Sequence, residues 1–237
     1  MTTAAPTAFT GFTRDAVQFL ADLAEHNDRA WFQPRKGEYE RLLKSPLEAL
    51  CAALDERFRA HRVPLTADPA RSPFRIYRDV RFSKDKSPYK TNIGASFRFA
   101  ERGPDGTPQP GERRHGGGYF HVSPGEVYVG GGMWHPDPGP LAAWRTLVLE
   151  QPERVHAATD DKGFRSRFGE VGGDRFKRPP AGVPADHPDL QLLNLKDITF
   201  GRRLGDAELF SADLPEILAV DLGAAAPLLR LLANLEG

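Results

Sequence analysis

Apolar positions along this chain repeat with a helical spacing at both ends and with a period of two in the middle. Near the start, Val17, Leu20, Leu23 and Ala24 fall on one stripe, which predicts a helix over about 13–26. Thr13 stands where an N-cap is needed, and Phe12 precedes it as a hydrophobic staple. After a turn at Asn27-Asp28, Trp31 and Phe32 read as core anchors, and a second helical stretch covers roughly 35–44. Ser45-Pro46-Leu47-Glu48 has the form of a capping box with proline at the first helical position, predicting a new helix to about Ala60. The alternative is one long helix kinked at Pro46.

The period changes at Phe74. Phe74, Ile76, Val80 and Phe82 point one way and Arg75, Tyr77, Asp79 and Arg81 the other, so 74–82 is expected as a strand. Ile93, Ala95, Phe97 and Phe99 form a second apolar row over 92–99. Residues 102–118 are rich in glycine, proline and charge and read as a mobile insertion loop within one domain. Strands at 119–123 and 126–131 flank Pro124-Gly125, which suits the centre of a type II turn. Helical spacing returns over 140–150, with Leu141, Trp144, Leu147 and Val148 on one face. A strand near 197–203 and a helix around 227–235 complete the chain. The pattern predicts an α+β fold: a central, mainly antiparallel sheet with N-terminal and C-terminal helices packed on it, spanning 9–237 after a flexible tail at 1–8.

Composition narrows function mainly by exclusion. Lys+Arg and Asp+Glu each total 32 in 237 residues, so bulk charge points to neither nucleic acid nor a membrane surface. No apolar run approaches the length of a membrane span, and residues 1–10 lack the charge and apolar core of a secretion signal. A cytoplasmic protein is expected. The single cysteine, Cys51, lies on an apolar helical stripe and reads as a buried, inert thiol. The seven histidines show no paired ligand spacing, and no metal site is expected.

Charge is uneven locally. Between Arg71 and Lys90 stand seven basic residues and two carboxylates, Asp79 and Asp85. Arg78 falls in the apolar row of the expected strand, which would bury its guanidinium and demand several partners. Two readings of the cluster stand at this point. In one, Arg75, Arg78, Arg81, Lys86, Tyr89, Lys90 and Thr91 form a pocket for a small phosphate- or carboxylate-bearing anion. In the other, Asp79, Asp85 and further carboxylates pair the cations and fix a loop.

The run Arg75-Ile76-Tyr77-Arg78-Asp79-Val80-Arg81-Phe82, continued by Asp85-Lys86, Pro88-Tyr89-Lys90 and Thr91, resembles the signature of the DUF2461 family. Phe9 to Phe12, Asn27 with Trp31-Phe32, Trp134 with Pro136, Arg178-Pro179 and Asp186-His187-Pro188 extend the resemblance across most of the chain. The resemblance supplies no catalytic residues to carry over.

Asp79 or His121 would serve proton transfer if the protein is an enzyme acting on a phosphorylated or carboxylated substrate; His121 shares a strand face with Tyr119 and Ser123. A protein-interaction module with an architectural motif is the third reading. The triplets Gly116–Gly118 and Gly130–Gly132 match no phosphate-loop or dinucleotide pattern and read as places of close backbone approach.

Overall fold

The computed structural model describes residues 8–81, 83–103, 107 and 115–235. Helix α1 (Arg14–Glu25) starts as its sequence predicts: the Thr13 side chain accepts from the Ala16 N–H. Its apolar stripe places Phe19, Leu20 and Leu23 in the core. Helix α2 (Ser45–Ala60) does not start at a capping box. Ser45 is itself helical, and its N–H donates to the Glu40 carbonyl, closing a π-helical turn over Glu40–Lys44. The backbone is instead helical without a break from Lys36 to Ala60, as the one-long-helix alternative has it, with the irregularity a π turn just before Pro46. Pro46 has no N–H to give to the preceding turn and its ring crowds the carbonyl there, and the wider turn upstream takes up that misfit.

The sheet has five antiparallel strands in sequential order: β1 (Leu65–Thr66), β2 (Ile93–Phe99), β3 (Gly117–Ser123), β4 (Glu126–Met133) and β5 (Ile198–Arg203). β3 and β4 form the expected hairpin, and Gly125 at its tip adopts φ +78, a conformation that costs glycine nothing. Alternation decides which face is buried. Ala95, Phe97, Phe120, Val122 and Val129 point into one core, where α2, α4 (Leu214–Ala224), α5 (Ala226–Ala233) and the helix Lys162–Phe168 pack on them. Helix α3 (Pro138–Glu150) buries Trp144 and Val148. Asp221, fully buried on α4, binds Arg167 and Arg202 and so ties helix to sheet.

The expected strand over 74–82 is not one, and Phe82 lies outside the described residues. Only isolated bridges form, Pro73 with Ala95 and Tyr77 with Tyr89, joined by Phe74 N–H to the Gly94 carbonyl and Lys90 N–H to the Ile76 carbonyl. Two causes are visible. Pro73 and Pro88 cannot donate to a ladder. Asp79 and Asp85 also accept from backbone N–H groups two residues on, at Arg81 and Ser87, which competes with strand pairing. Residues 72–81 and 83–90 thus form an irregular arm along the sheet rather than a strand in it.

Of the expected insertion loop at 102–118, residues 104–106 and 108–114 lie outside the described residues. Its two ends are structured. Gly117 and Gly118 belong to β3, and the buried Arg102 guanidinium binds Asp55 and the Val63 and Leu65 carbonyls. The expected tail at 1–8 is likewise outside the description except for Ala8.

Candidate functional site

Helices pack on the face of the sheet that carries Ala95, Phe97, Phe120 and Val129, and the face opposite carries β2 residues Gly94, Ser96 and Arg98, β3 residues Gly117, Tyr119 and His121, and β4 residues Tyr128, Gly130 and Gly132. The register puts Ser96 beside Tyr119 and Arg98 beside Gly117, with Gly132 and Thr199 next in the row. Glycine leaves this row low, because a row without side chains is backbone height. The result is a groove of about 930 Å³ floored in part by Gly94, Gly117 and Gly132. The expectation that the glycine triplets serve close backbone approach is met at Gly132, where an added Cβ would sit 2.1 Å from the Ile198 carbonyl oxygen. They also make the groove, which that expectation did not foresee.

Aromatic rings form the walls. Phe74 reaches over from the arm to Tyr119, with ring centroids 6.2 Å apart. Trp134 follows β4 and is 75 % exposed at the groove margin. Its position is set by its neighbour: His135 holds φ +48, its N–H donates to buried Asp197 at 2.6 Å, and its ring lies tilted against the indole with centroids 4.1 Å apart. An exposed indole beside a residue in the left-handed region is the kind of local strain found at binding sites. Tyr128 lies over Gly201, where a Cβ would come 2.0 Å from its hydroxyl oxygen. Burial raises the pKa of Tyr119, with Tyr128 and Glu126 adding to it, and burial and then Glu126 raise that of Tyr128. Both phenols are therefore neutral hydrogen-bonding groups over the ordinary pH range.

The basic residues of the 75–91 stretch, together with Arg98 of β2, differ in what they contact. The Arg81 guanidinium donates to both Asp79 carboxylate oxygens and the Arg81 backbone N–H donates to Oδ1, and these contacts lower the Asp79 pKa. Asp85 accepts from Ser87 and Arg78, which hold its carboxyl well below the usual range. Lys86 donates to the Val80 carbonyl at 3.0 Å and stays on the outer surface. Arg78 and Arg81 thus have the carboxylate partners of the salt-bridge reading, whereas Lys86 has none within ion-pair distance among the described residues. Arg78 differs from expectation: its side chain is 29 % exposed with Asp85 as carboxylate partner, because the arm is irregular and Arg78 is not sealed between strands.

Besides Arg78, two cations face the groove. Lys90 lies with its ammonium 5.1 Å from the Phe74 ring centre, and burial, then the nearby Arg75, lowers its pKa. Arg98 rises from β2 at the other side of the floor. Neither has a carboxylate within ion-pair distance among the described residues. Arg78, Asn92, Ser96 and Thr199 line the same space. Tyr89 is not available as a donor from the surface. Its ring is buried on Phe32 at 4.1 Å, and its backbone N–H and carbonyl are both held by the Asn27 side chain at 3.0 Å. Thr91 is exposed and outside the groove.

The proton-transfer candidates are placed poorly for that work. Asp79 borders the groove with its carboxylate already bonded by Arg81. His121 sits behind Tyr119 and Tyr128, with Nε2 3.3 Å from Glu126 and Nδ1 buried without a partner among the described residues. Among the described residues no cluster of three His, Cys, Asp or Glu side chains suits a metal ion. No helix among them is long and apolar enough to cross a membrane.

The sequence signals for Phe74, Arg98, Tyr119, Tyr128 and Trp134 were present but dispersed. An outward cation in a strand and a tryptophan after a glycine triplet become a site only when the sheet register aligns them.

The chain matches the family model described as "Conserved hypothetical protein (DUF2461)" over residues 15–230. No curated protein and no solved structure matches it.

Proposed function

This chain belongs to the DUF2461 family, and we propose that its groove binds a small organic anion with a flat apolar body. Lys90 and Arg98 take the charge, and Phe74, Tyr119 and Trp134 take the body. One observation carries this reading. Of the cations that line the groove, Arg78 is matched by Asp85, whereas Lys90 and Arg98, which flank the glycine floor, have no carboxylate within ion-pair distance among the described residues. A partly buried ammonium with a lowered pKa gains from an anion what it has lost in hydration. The cavity has the volume of a small-molecule site and pairs aromatic walls with a few polar groups. Binding is favoured over catalysis because neither Asp79 nor His121 offers a free proton acceptor to the cavity.

The test uses naphthalene-2-carboxylate and adenosine monophosphate as probes, with sodium phosphate as the bare-anion control. A ligand of the native state stabilises by RT ln(1 + [L]/Kd), about 2.7 kcal/mol at a hundredfold excess over Kd. Both planar probes should raise the melting temperature with concentration, and should quench Trp134 fluorescence. Lys90→Met and Arg98→Gln should fold normally and lose both effects. If no planar anion stabilises the wild type more than these variants, the groove reading is wrong.

A further inference from the structure

A second group of cations lies away from the groove and outside the 75–91 stretch. Residues 171–177 run antiparallel to 194–199, through bridges Gly172 to Thr199 and Arg175 to Leu195. Phe176 N–H donates to the Asn194 carbonyl at 2.8 Å, and Lys196 N–H to the Asp174 carbonyl at 2.7 Å. This pairing fixes Phe176 beside helix α3. Trp144 Nε1 and Arg145 Nε donate to the successive carbonyls of Leu192 and Leu193, both at 3.1 Å. Two cations then sit against the Phe176 ring: the Arg145 guanidinium carbon at 5.1 Å and the Lys196 ammonium at 5.3 Å from its centre. A cavity of about 420 Å³ opens there, lined by Arg145, Phe176, Lys177, Arg178, Pro179 and Pro180.

The electrostatics of this pocket are one-sided. Among the described residues, Arg145, Lys177, Arg178 and Lys196 have no carboxylate within ion-pair distance, and Asp174, two residues before Phe176, bridges to none of them. Arg145 spends Nε on Leu193, which leaves its terminal nitrogens without partners among the described residues. Burial also works against its charge, lowering its pKa. The guanidinium is therefore held in place by a carbonyl and a ring, with its two-nitrogen edge uncommitted, which is the geometry that takes phosphate oxygens two at a time. Pro179 and Pro180 stiffen the chain that carries Arg178, so little order has to be gained on binding.

We propose that this pocket is a second binding site, for a compact anion bearing two or more charges, of the pyrophosphate or phosphate-ester class. Arg145 and Arg178 grip the oxygens, Lys177 and Lys196 supply further positive charge, and Phe176 with the prolines forms the apolar wall. The inference stands independently of the groove, since the two cavities share no lining residue.

The experiment is a ¹⁵N NMR titration of the whole chain with sodium pyrophosphate at constant ionic strength, with sodium chloride as the control. Saturable shifts are expected at the amides of Arg145, Phe176, Lys177, Arg178 and Lys196. The double variant Lys177→Gln/Arg178→Gln changes two exposed side chains, so it should fold and lose the saturation. Arg98→Gln should titrate at this pocket as the wild type does. Chloride shifts equal to those of pyrophosphate, saturation confined to groove residues such as Lys90, or an unchanged response in the double variant would each overturn the proposal. Should the double variant unfold, Lys177→Gln alone is expected to raise the apparent Kd at least several-fold, and an unchanged Kd would overturn it equally.

Discussion

Removing members of the Asp221 cluster one at a time should give three different losses of stability, in an order set by what each removal strands. Asp221 is 0 % exposed; Arg202 contacts one carboxylate oxygen through Nε at 2.8 Å and Nη2 at 2.6 Å, and Arg167 contacts the other at 2.6 Å. Breaking a buried pair from one side typically costs about 3–5 kcal/mol, because the partner is left charged and dry. Arg202→Ala leaves fully buried Asp221 with only Arg167 and Glu208 with only the Gly205 N–H and water, so it belongs at the top of that range. Asp221→Ala leaves Arg202 with Glu208, and leaves Arg167, whose side chain is 39 % exposed, to find water, which places it at about 3 kcal/mol. Arg167→Ala leaves the Arg202 pairing whole and should cost about 1 kcal/mol, the worth of one hydrogen bond. For a chain of this size each kcal/mol moves the melting temperature by roughly 2–4 °C. Asp221→Ala should therefore melt about 6–12 °C below wild type, Arg202→Ala lower still, and Arg167→Ala within about 4 °C. Differential scanning calorimetry with a circular dichroism check on refolding reads all three. If Arg167→Ala costs as much as Asp221→Ala, or Asp221→Ala melts with the wild type, the reasoning from stranded charge is refuted.

Three other outcomes are expected. Gly201→Ala should lower the urea midpoint by the equivalent of about 1–3 kcal/mol, because its Cβ would meet the Tyr128 hydroxyl at 2.0 Å and the Val129 carbonyl at 2.8 Å; adding Tyr128→Ala should recover part of the loss, and no recovery would show that the backbone contact dominates. Arg202 holds the Glu208 pKa below its ordinary value, so this carboxylate stabilises the fold above its unfolded-state pKa and the benefit disappears as pH falls through the lowered one; the stability gap between wild type and Glu208→Gln, measured by urea titration, should be full at neutral pH and close in acid, and a gap constant with pH would exclude the pairing. Burial and then Glu48 push the Cys51 thiol up to about 12, so Ellman's reagent at pH 8 should label it only after denaturant is added, and rapid labelling of native protein would contradict the buried placement.

Much of the architecture is legible in the sequence, and the elements that escape share a cause. β2, the β3–β4 hairpin and α1 carry their own instructions: strict alternation at Ile93, Ala95 and Phe97, a Pro-Gly turn, and Thr13 ahead of an apolar stripe. Ser45 and the 74–82 run are locally convincing and globally overruled. A capping box does not act when the preceding residues are already helical, and alternation makes a strand only when a neighbour offers donors, which Pro88 does not. Candidate chemistry was harder still. Counting charge over 71–90 finds an excess, but whether each cation is spent depends on the orientation of two aspartates. Arg98, which the groove reading depends on, looks in sequence like any outward residue of a half-buried strand.

The π-helical turn at Glu40–Lys44 has a consequence for the rotational phase of the N-terminal region. One residue in a helix is about 100° of rotation, so the extra residue in that turn sets the angle between the core face of α2 and that of the short helix before it. Deleting one residue from 40–44 would restore a regular helix while swinging Tyr39 about 100° around the axis. Tyr39 packs on Phe32 at 5.5 Å, and Phe32 is the ring on which Tyr89 stacks. Regularising the helix would thus dislodge the stack that seats Tyr89, and with it the next residue along the arm, Lys90. An irregularity one turn long sets the phase on which the far rim of the groove depends.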